Sequence, residues 1–570
     1  MTEVPLNIDG IVASYASTRP DMWVVSACGI TSDGTPIPVL LHRDSYVTHS
    51  DQIRVLLLGG LSGYTDEVEL IVQALKLILE TDNIATKGLA ISAIPCANID
   101  GFITTKAPLN SKGGNLLSGY PPSNAFFYHP VNSELRYIWR WICFLAPDLI
   151  IELVSGQVIS WEANLTAVKQ FPHLKCKDIT GDGSLIGTLG TENRADFHTI
   201  PGLRLTIPKN SLPQQLNQIW DSLTKNPSPT PSPARLNLLS LGSRSPKKIA
   251  SLLARYYGHK FDSPVMYTQG VGISGRLRLW AMDKTISNPI PDIIHMTSPF
   301  LSGNLTLFEM NAEAHNLGAV LWADELAEVT NNSAHAKLLL HSAQHITQRG
   351  HGEPPHPADP DFRTEDLFLL GTILGRAYRL TNDTTYIEIA IDMFLHHETQ
   401  QANGLYWHSR SNPFYWGRGN GFAALGLAEL LTYMPQNHLQ RQRIIEMHVK
   451  LLDGLIPTQE PSGMFPQLLN YRGSYHEHSA TSMIGYSVAK GILLGWLEYS
   501  QCIKLLDAAW KGVIERIDLH GKLVDVCTST GVYDDNSGYL NRPAISGYDD
   551  RGGGMALWFA IEMCKLYETQ

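Results

Sequence analysis

The sequence predicts two domains of different class, an α/β domain followed by an all-helical one. Three observations predict this. Up to residue 225, apolar runs short enough for buried strands alternate with stretches of helical periodicity. Beyond residue 240 the periodicity is helical almost throughout. Between them stands NPSPTPSPA, Asn226 to Ala234, whose Pro/Ser alternation reads as a semi-extended linker. The expected division is an α/β domain over 1–225, a linker over 226–240 and a helical domain over 241–570.

In the first domain, Ile53 to Gly59 is an apolar run expected of a strand buried on both faces. Val68 to Leu79 has helical spacing, and Leu89 to Pro95 is a second buried strand ending in the turn Ala97 to Gly101. Glu134 to Phe144 reads as helix and Asp148 to Val154 as another strand. In the second domain, Asp366 to Leu380 sets Leu367, Leu370, Leu374 and Ala377 on one face. Phe422 to Met434 and Ser482 to Trp496 do the same. Thr330, Thr381 and Thr432 recur at a spacing of 51 residues between helices, which predicts stacked helical hairpins. Periodicity alone leaves an open solenoid and a closed ring equally available.

Composition narrows the function. The chain has 570 residues, 44% hydrophobic and 17% charged, with a net charge of −10. No run rich in Lys and Arg occurs, so nucleic acid and membrane surfaces are poor partners. No apolar run of about 18 residues suggests a membrane span. The start shows no basic-then-apolar leader, and the seven cysteines, Cys28, Cys96, Cys143, Cys176, Cys502, Cys527 and Cys564, form no CxxC pair. Together these give an expectation of a cytoplasmic protein.

The densest chemical segment is Tyr415 to Phe422, where three glycines surround Trp416 and Arg418. Trp416 and Phe422 could stack on a sugar ring, and Arg418 could grip a carboxylate in two places. The same residues also suit a helix-capping turn with a buried Trp and a structural Arg.

This segment resembles the Trp-Gly-Arg-Gly-Asn-Gly hallmark of the unsaturated rhamnogalacturonyl hydrolases of glycoside hydrolase family 105 and the related family 88. Further pieces follow in the family's order: Gly404 to His408, Glu477 to Met483 with Ala489 to Gly495, and the Gly-rich turn Tyr548 to Gly554. The resemblance implies an (α/α)6 toroid that acts on polysaccharide-lyase products. Such products carry a uronate with a C4=C5 double bond at the non-reducing end. A carboxylic acid protonates C4, water adds at C5, and the hemiketal collapses to release the sugar. The acid must remain protonated near neutral pH, so burial should raise its pKa. The resemblance puts His408, Trp416, Arg418, Asn420, Phe422 and Glu477 in substrate-binding roles.

The family's acid lies in a Trp-Val-Asp-x-Leu-[Phe/Tyr]-Met segment. Here the matching stretch is Arg363 to Leu369, so the Asp position falls on Glu365, with Asp366 beside it. Either carboxyl could be the acid. Glu is one methylene longer, and a displacement of about 1 Å can cost roughly 100-fold in rate. The bland alternative is that both simply favour the positive end of a helix. A second family carboxylate, counted back from Gly318, falls on Glu313, with His315 and Asn316 as neighbouring contacts.

The first half resembles zinc carboxypeptidases through Ser26 to Ile37, Leu56 to Gly63, Ile94 to Gly101 and Pro147 to Ser155. The family's metal ligands are replaced by Ser62, Thr65 and Val154, and its catalytic Glu by Pro208. Ser and Val offer no adequate zinc donors, so the resemblance implies a peptidase-like scaffold without metal or peptidase chemistry. Asn98 and Asp100 fit turn formation better than a cleft.

The sequence therefore points to a glycoside hydrolase acting on an acidic, unsaturated uronyl oligosaccharide, without cofactor or metal. Candidate catalytic residues are Glu365, Asp366 and Glu313, and candidate binding residues are those above with His315. The alternatives are a carbohydrate-binding pseudoenzyme and a toroid glycosidase for a different uronide.

Overall fold

A computed structural model describes residues 6–80, 88–122, 127–172, 174–191, 197–225, 230–302 and 312–568. It divides into two compact units, Met1–Ser243 with Tyr471–Tyr475, and Arg244–Asn470 with His476–Gln570.

Among the described residues, the first unit is built on an eight-stranded mixed sheet. In chain order the strands are β1 (Trp23–Ile30), β2 (Pro36–His42), β3 (Ile53–Leu58), β4 (Leu89–Ile94), β5 (Leu149–Ser155), β6 (Ser160–Ala163), β7 (Lys177–Asp178) and β8 (Gly202–Ile207). Their order across the sheet is β1-β2-β4-β3-β5-β8-β6-β7. The central four, β4, β3, β5 and β8, run parallel, with Ile53 opposite Leu89 and Val55 opposite Leu149. β2 joins β4, and β6 joins β8, in antiparallel register. Every residue of β4 is buried, as a strand covered on both faces requires. Helix Thr65–Glu80 buries Val68, Ile71, Leu75 and Ile78, the i, i+3, i+7, i+10 stripe that seals one face.

The expected linker over 226–240 is corrected here. Residues 226–229 lie outside the described residues, but Pro233–Gly242 is a helix within the first unit. Ser232 caps it by accepting from the Arg235 N–H at 3.1 Å, and Pro233 occupies the first turn, where its missing N–H costs nothing. Arg235 is buried and donates to Asp148 at 2.6 Å and to the carbonyl of Thr48 at 2.9 Å. The Ser-Pro pattern that suggested a linker is here a helix start.

In the second unit, long buried helices pack in a closed succession. Tyr267–Met282 packs against the broken segment Ala314–Thr330, which packs against Thr364–Thr381. Gly417–Tyr433, His478–Leu493 and Asp550–Glu568 follow, and the last returns to Tyr267–Met282. An outer set, Pro246–Leu253, Ile290–Leu301, Ala336–Gln344, Thr384–Leu395, Arg441–Leu455 and Tyr499–Ile514, alternates with these along the chain. This is an α/α toroid of six hairpins among the described residues. Inner helices are buried nearly all round, as in Gly417–Leu431, whereas Arg441–Leu455 buries only a stripe including Ile444, His448, Leu451 and Leu455.

The 51-residue spacing has a physical cause. Thr330, Thr381 and Thr432 each stand at the end of an inner helix. Each hydroxyl donates to the carbonyl four residues back, at 2.6, 2.8 and 2.7 Å. Asn331 and Asn382 follow in the left-handed region, with φ of 51° and 57°, and end their helices.

No helix among the described residues is long and apolar enough to cross a membrane. None of the seven cysteines, all among the described residues, forms a disulfide.

Candidate active site

The site begins where helix Thr364–Thr381 begins. The Thr364 N–H donates to the carbonyl of His408 at 3.1 Å, which ties this helix start to the loop before Gly417–Tyr433. Glu365 and Asp366 occupy the first turn and are 5% and 7% exposed. Both line a cleft of about 490 Å³, together with Tyr267, Glu313, His315, Arg349, His356, Asp359, Arg363 and Thr530. The cleft is within the range of small-ligand sites, and its lining sets Arg349 and Arg363 among four carboxyls.

The two adjacent carboxyls are driven apart in proton affinity. Burial, and then the charge of Glu365, push Asp366 up to about 8. Asp366 Oδ2 accepts one hydrogen bond, from the Asp359 N–H at 2.8 Å. Burial, the largest single influence, acts to raise Glu365, but His408, the Glu365 backbone N–H and Arg363 together hold it below the ordinary carboxyl range. The His408 Nε2 to Glu365 Oε2 distance is 3.3 Å. Among the described residues, neither oxygen of Glu365 has a partner with hydrogen-bond geometry, and the buried Tyr267 hydroxyl on the same cleft has none.

A short relay sets the imidazole. His408 is fully buried, which holds it below its usual pKa despite the opposing effect of Glu365. Its Nδ1 lies 2.7 Å from the Tyr539 hydroxyl, which itself accepts from the Tyr533 N–H at 3.4 Å. With Tyr539 donating to Nδ1, the proton of the neutral ring sits on Nε2 and faces Glu365. Trp416 lies against the same ring, with centroids 4.4 Å apart.

The segment around Trp416 plays another part than expected. Trp416, Arg418, Asn420 and Phe422 are all 0% exposed, and none lines the cleft. Arg418 donates to the carbonyl of Cys527 at 2.7 Å and to that of Ser529. Arg542 donates to the carbonyls of Thr528, at 3.0 Å, and Gly531. The two guanidiniums thus hold the loop that carries Thr530 to the cleft. Asn420 bridges the backbone, accepting from the Tyr406 N–H at 2.7 Å and donating to the carbonyls of Tyr406 and Trp416. Phe422 packs against Tyr267 and Phe368. The expectation that Arg418 grips a substrate carboxylate is corrected, because the side chain is sealed in the core and both its terminal nitrogens donate to backbone carbonyls. Trp416, Asn420 and Phe422 are corrected likewise.

The three glycines serve close helix packing. A side chain at Gly417 would meet the carbonyl of Pro466 at 2.4 Å. The expected turn is therefore the first turn of helix Gly417–Tyr433. Glu477, expected to bind substrate, is also fully buried and caps helix His478–Leu493. It accepts from the N–H groups of Ala480 at 2.6 Å and Cys527 at 2.9 Å.

Glu313 and His315 line the cleft, 3.2 Å apart, but Glu313 is exposed. Its side chain is 72% accessible, unlike the sealed Glu365 and Asp366. Sequence reasoning missed Tyr267, Arg349, His356, Arg363, Thr530 and Tyr539. Arg363 was within the segment already aligned, with its Nε 2.9 Å from Asp359. Arg349 and His356 flank a Gly- and Pro-rich stretch, which is the only hint of a cleft loop.

Residues 254–567 match Glycosyl Hydrolase Family 88. The chain belongs to that family. Among curated relatives, the unsaturated rhamnogalacturonyl hydrolase YesR of Bacillus subtilis is 26% identical over 213 residues, covering 35% of this chain and 59% of that protein. The unsaturated 3S-rhamnoglycuronyl hydrolase of an Alteromonas species is 23% identical over 171 residues, covering 28% of this chain and 41% of that one. The chain thus spans less than two thirds of either relative. A family 105 glycoside hydrolase of C. acetobutylicum superposes with a TM-score of 0.50 at 18% identity, over 55% of this chain and 99% of that structure. A possible family 105 member from Salmonella enterica gives 0.50 at 20% identity, over 57% and 96%. At these identities the structures speak for the shared toroid fold of this family 88 chain.

Proposed function

We propose that the second unit hydrates the C4=C5 double bond of a non-reducing-end unsaturated uronide and so releases the sugar it is joined to. The observation that carries this reading is the pair of neighbouring carboxyls on one cleft, one protonated near neutral pH and one ionised. Asp366 donates its proton to C4. A water then adds to C5, and Glu365, held by His408, accepts its proton. The C5 hemiketal that results collapses and the glycosidic bond opens. Arg349 and Arg363 supply positive charge for the uronate carboxylate, and Tyr267 offers its hydroxyl to the ring. Glu313 and His315 form the cleft's outer rim. The kinds of substrate named for the Bacillus and Alteromonas relatives make rhamnose-linked uronides the first to try.

The test is incubation with lyase-generated oligosaccharides while following the ultraviolet absorbance of the conjugated double bond. Wild type is expected to remove it and Asp366→Asn to leave it. A panel of uronides that all keep the absorbance with wild type overturns the reading.

The first unit is proposed to be a carboxypeptidase-like scaffold without peptidase chemistry. Supporting it, Ser62 donates to Glu67 at 2.5 Å, and Val154 stands in β5, where the family resemblance asks for a ligand. Carboxypeptidase substrates are expected to remain uncleaved.

A further inference from the structure

Among the described residues, one cluster outside the cleft has the donor types and spacing of a metal site: His351, Asp392 and His396. None of the three lines the cleft. Asp392 lies in the last turn of helix Thr384–Leu395, and His396 ends that helix one turn later. His351 comes from a separate loop, closed by the backbone pair Thr347 and His356 at 2.9 and 2.8 Å.

Each residue presents a ligand atom within 4.8 Å of the others. His351 Nδ1 lies 2.7 Å, and His396 Nδ1 3.1 Å, from the same oxygen, Asp392 Oδ1, and His396 Nδ1 also donates to the Asp392 carbonyl at 2.9 Å, a bond it would exchange for the ion. Ligands on a tetrahedral zinc ion, each about 2 Å from it, stand roughly 3.3 Å from one another, so small side-chain shifts, with deprotonation of His396 Nδ1, would admit an ion. The second carboxylate oxygen is already anchored. Asp392 Oδ2 accepts from Gln348 Nε2 at 3.0 Å and from the Gly352 N–H at 3.2 Å. Such outer bonds aim a ligating carboxylate and leave its other oxygen for the ion. His351 is 80% exposed, which gives an entry path and room for water to complete the coordination. An ion pair alone is a weaker account, because two imidazoles on one partly solvated carboxylate oxygen gain little.

We propose that His351, Asp392 and His396 bind one divalent transition-metal ion of the zinc type. The ion ties the loop of residues 347–356 to the end of helix Thr384–Leu395. That loop carries Arg349 and His356 to the cleft, so the metal is a staple for one cleft wall rather than a reactant. Only this consequence for substrate binding rests on the hydrolase reading; metal binding does not.

The test uses the full chain, tag-free and stripped by chelator, titrated with Zn2+ and with Co2+ as a spectroscopic probe. Wild type is expected to take up one equivalent at micromolar concentration or below, with visible Co2+ bands. His351→Ala, at an exposed position that leaves folding intact, should weaken binding more than about 10-fold. Asp392→Ala should do the same. The exposed His341 and His345 pair is the control, and H341A/H345A should bind as wild type does. Zn2+ should also slow amide exchange across residues 348–353 in wild type and not in His351→Ala. Absence of an equivalent of bound metal in wild type overturns the proposal. So does binding that survives His351→Ala and is lost in H341A/H345A. Because no readout requires turnover, failure here leaves the hydrolase reading standing.

Discussion

Two helix starts in the toroid, Trp416–Phe422 and Arg363–Asp366, use polar residues in opposite ways. In the first, Arg418 holds two carbonyls of the loop before Thr530, and Asn420 bridges the backbone of Tyr406 and Trp416 inside a sealed core. In the second, Glu365 and Asp366 are equally buried but face the cleft, and Glu365 keeps both oxygens without a hydrogen-bond partner among the described residues. Buried polar groups turned onto backbone carbonyls build a scaffold, and buried carboxyls that face a cleft make a site. The density of unusual residues in a segment therefore does not mark where chemistry occurs.

The difference can be broken most sharply at Asp366. Asp366→Asn should lower kcat by about 1,000-fold or more, with KM changed little, as steady-state loss of double-bond absorbance would show. The same variant has a stability signature. Asp366 titrates near 8 in the fold and about 3.9 in an unfolded chain, so the folded state holds the proton more tightly. The stability from that proton is complete below about pH 4 and is lost as pH rises through about 8. Asn stays neutral, so the variant should melt above wild type at pH 9, and the gap should close toward pH 4. A gap that widens toward acid contradicts the assignment.

Glu365→Gln should cost roughly 100-fold in kcat, as expected of a lost proton acceptor. Arg418→Ala should act through the scaffold instead. It strands two buried carbonyls and leaves a cavity, so denaturation should report a loss of about 3 kcal/mol, with a smaller change in kcat than either carboxylate variant. A stable Arg418→Ala that has lost only substrate affinity would return Arg418 to the binding role its sequence motif suggested. The smallest effect is expected at Arg349→Ala. KM should rise about 10-fold at nearly constant kcat, as for an exposed charge contact.

Much of this division was legible in the sequence. The alternating apolar runs marked β3, β4 and β5 to within a residue or two, and the Thr spacing marked the ends of three inner helices. A Thr that caps its own helix by bonding four residues back is a local event, so it repeats with the fold. Residues 233–242 were misread because a Ser-Pro pair starts a helix as readily as it breaks one, and the partner that decides, Asp148, lies 87 residues from Arg235. Arg418 was misread for the same reason, since its acceptors lie 109 and 111 residues away. The choice between Glu365 and Asp366 was left open because it depends on burial and on His408. Neither is a property of the local sequence. The metal candidate was invisible for want of spacing: His351 and Asp392 meet only when the loop folds back on the helix.

The most direct test of the central claim is the pH dependence of kcat in wild type and Glu365→Gln on the same lyase-generated oligosaccharide. Asp366 must be protonated to act, so wild-type activity should be lost as pH rises through about 8. Removing the charge of Glu365 removes one cause of that high value, so the residual activity of Glu365→Gln should fall away at lower pH. An alkaline limb that stays in place in Glu365→Gln, or an Asp366→Asn enzyme that retains wild-type turnover, would contradict the account.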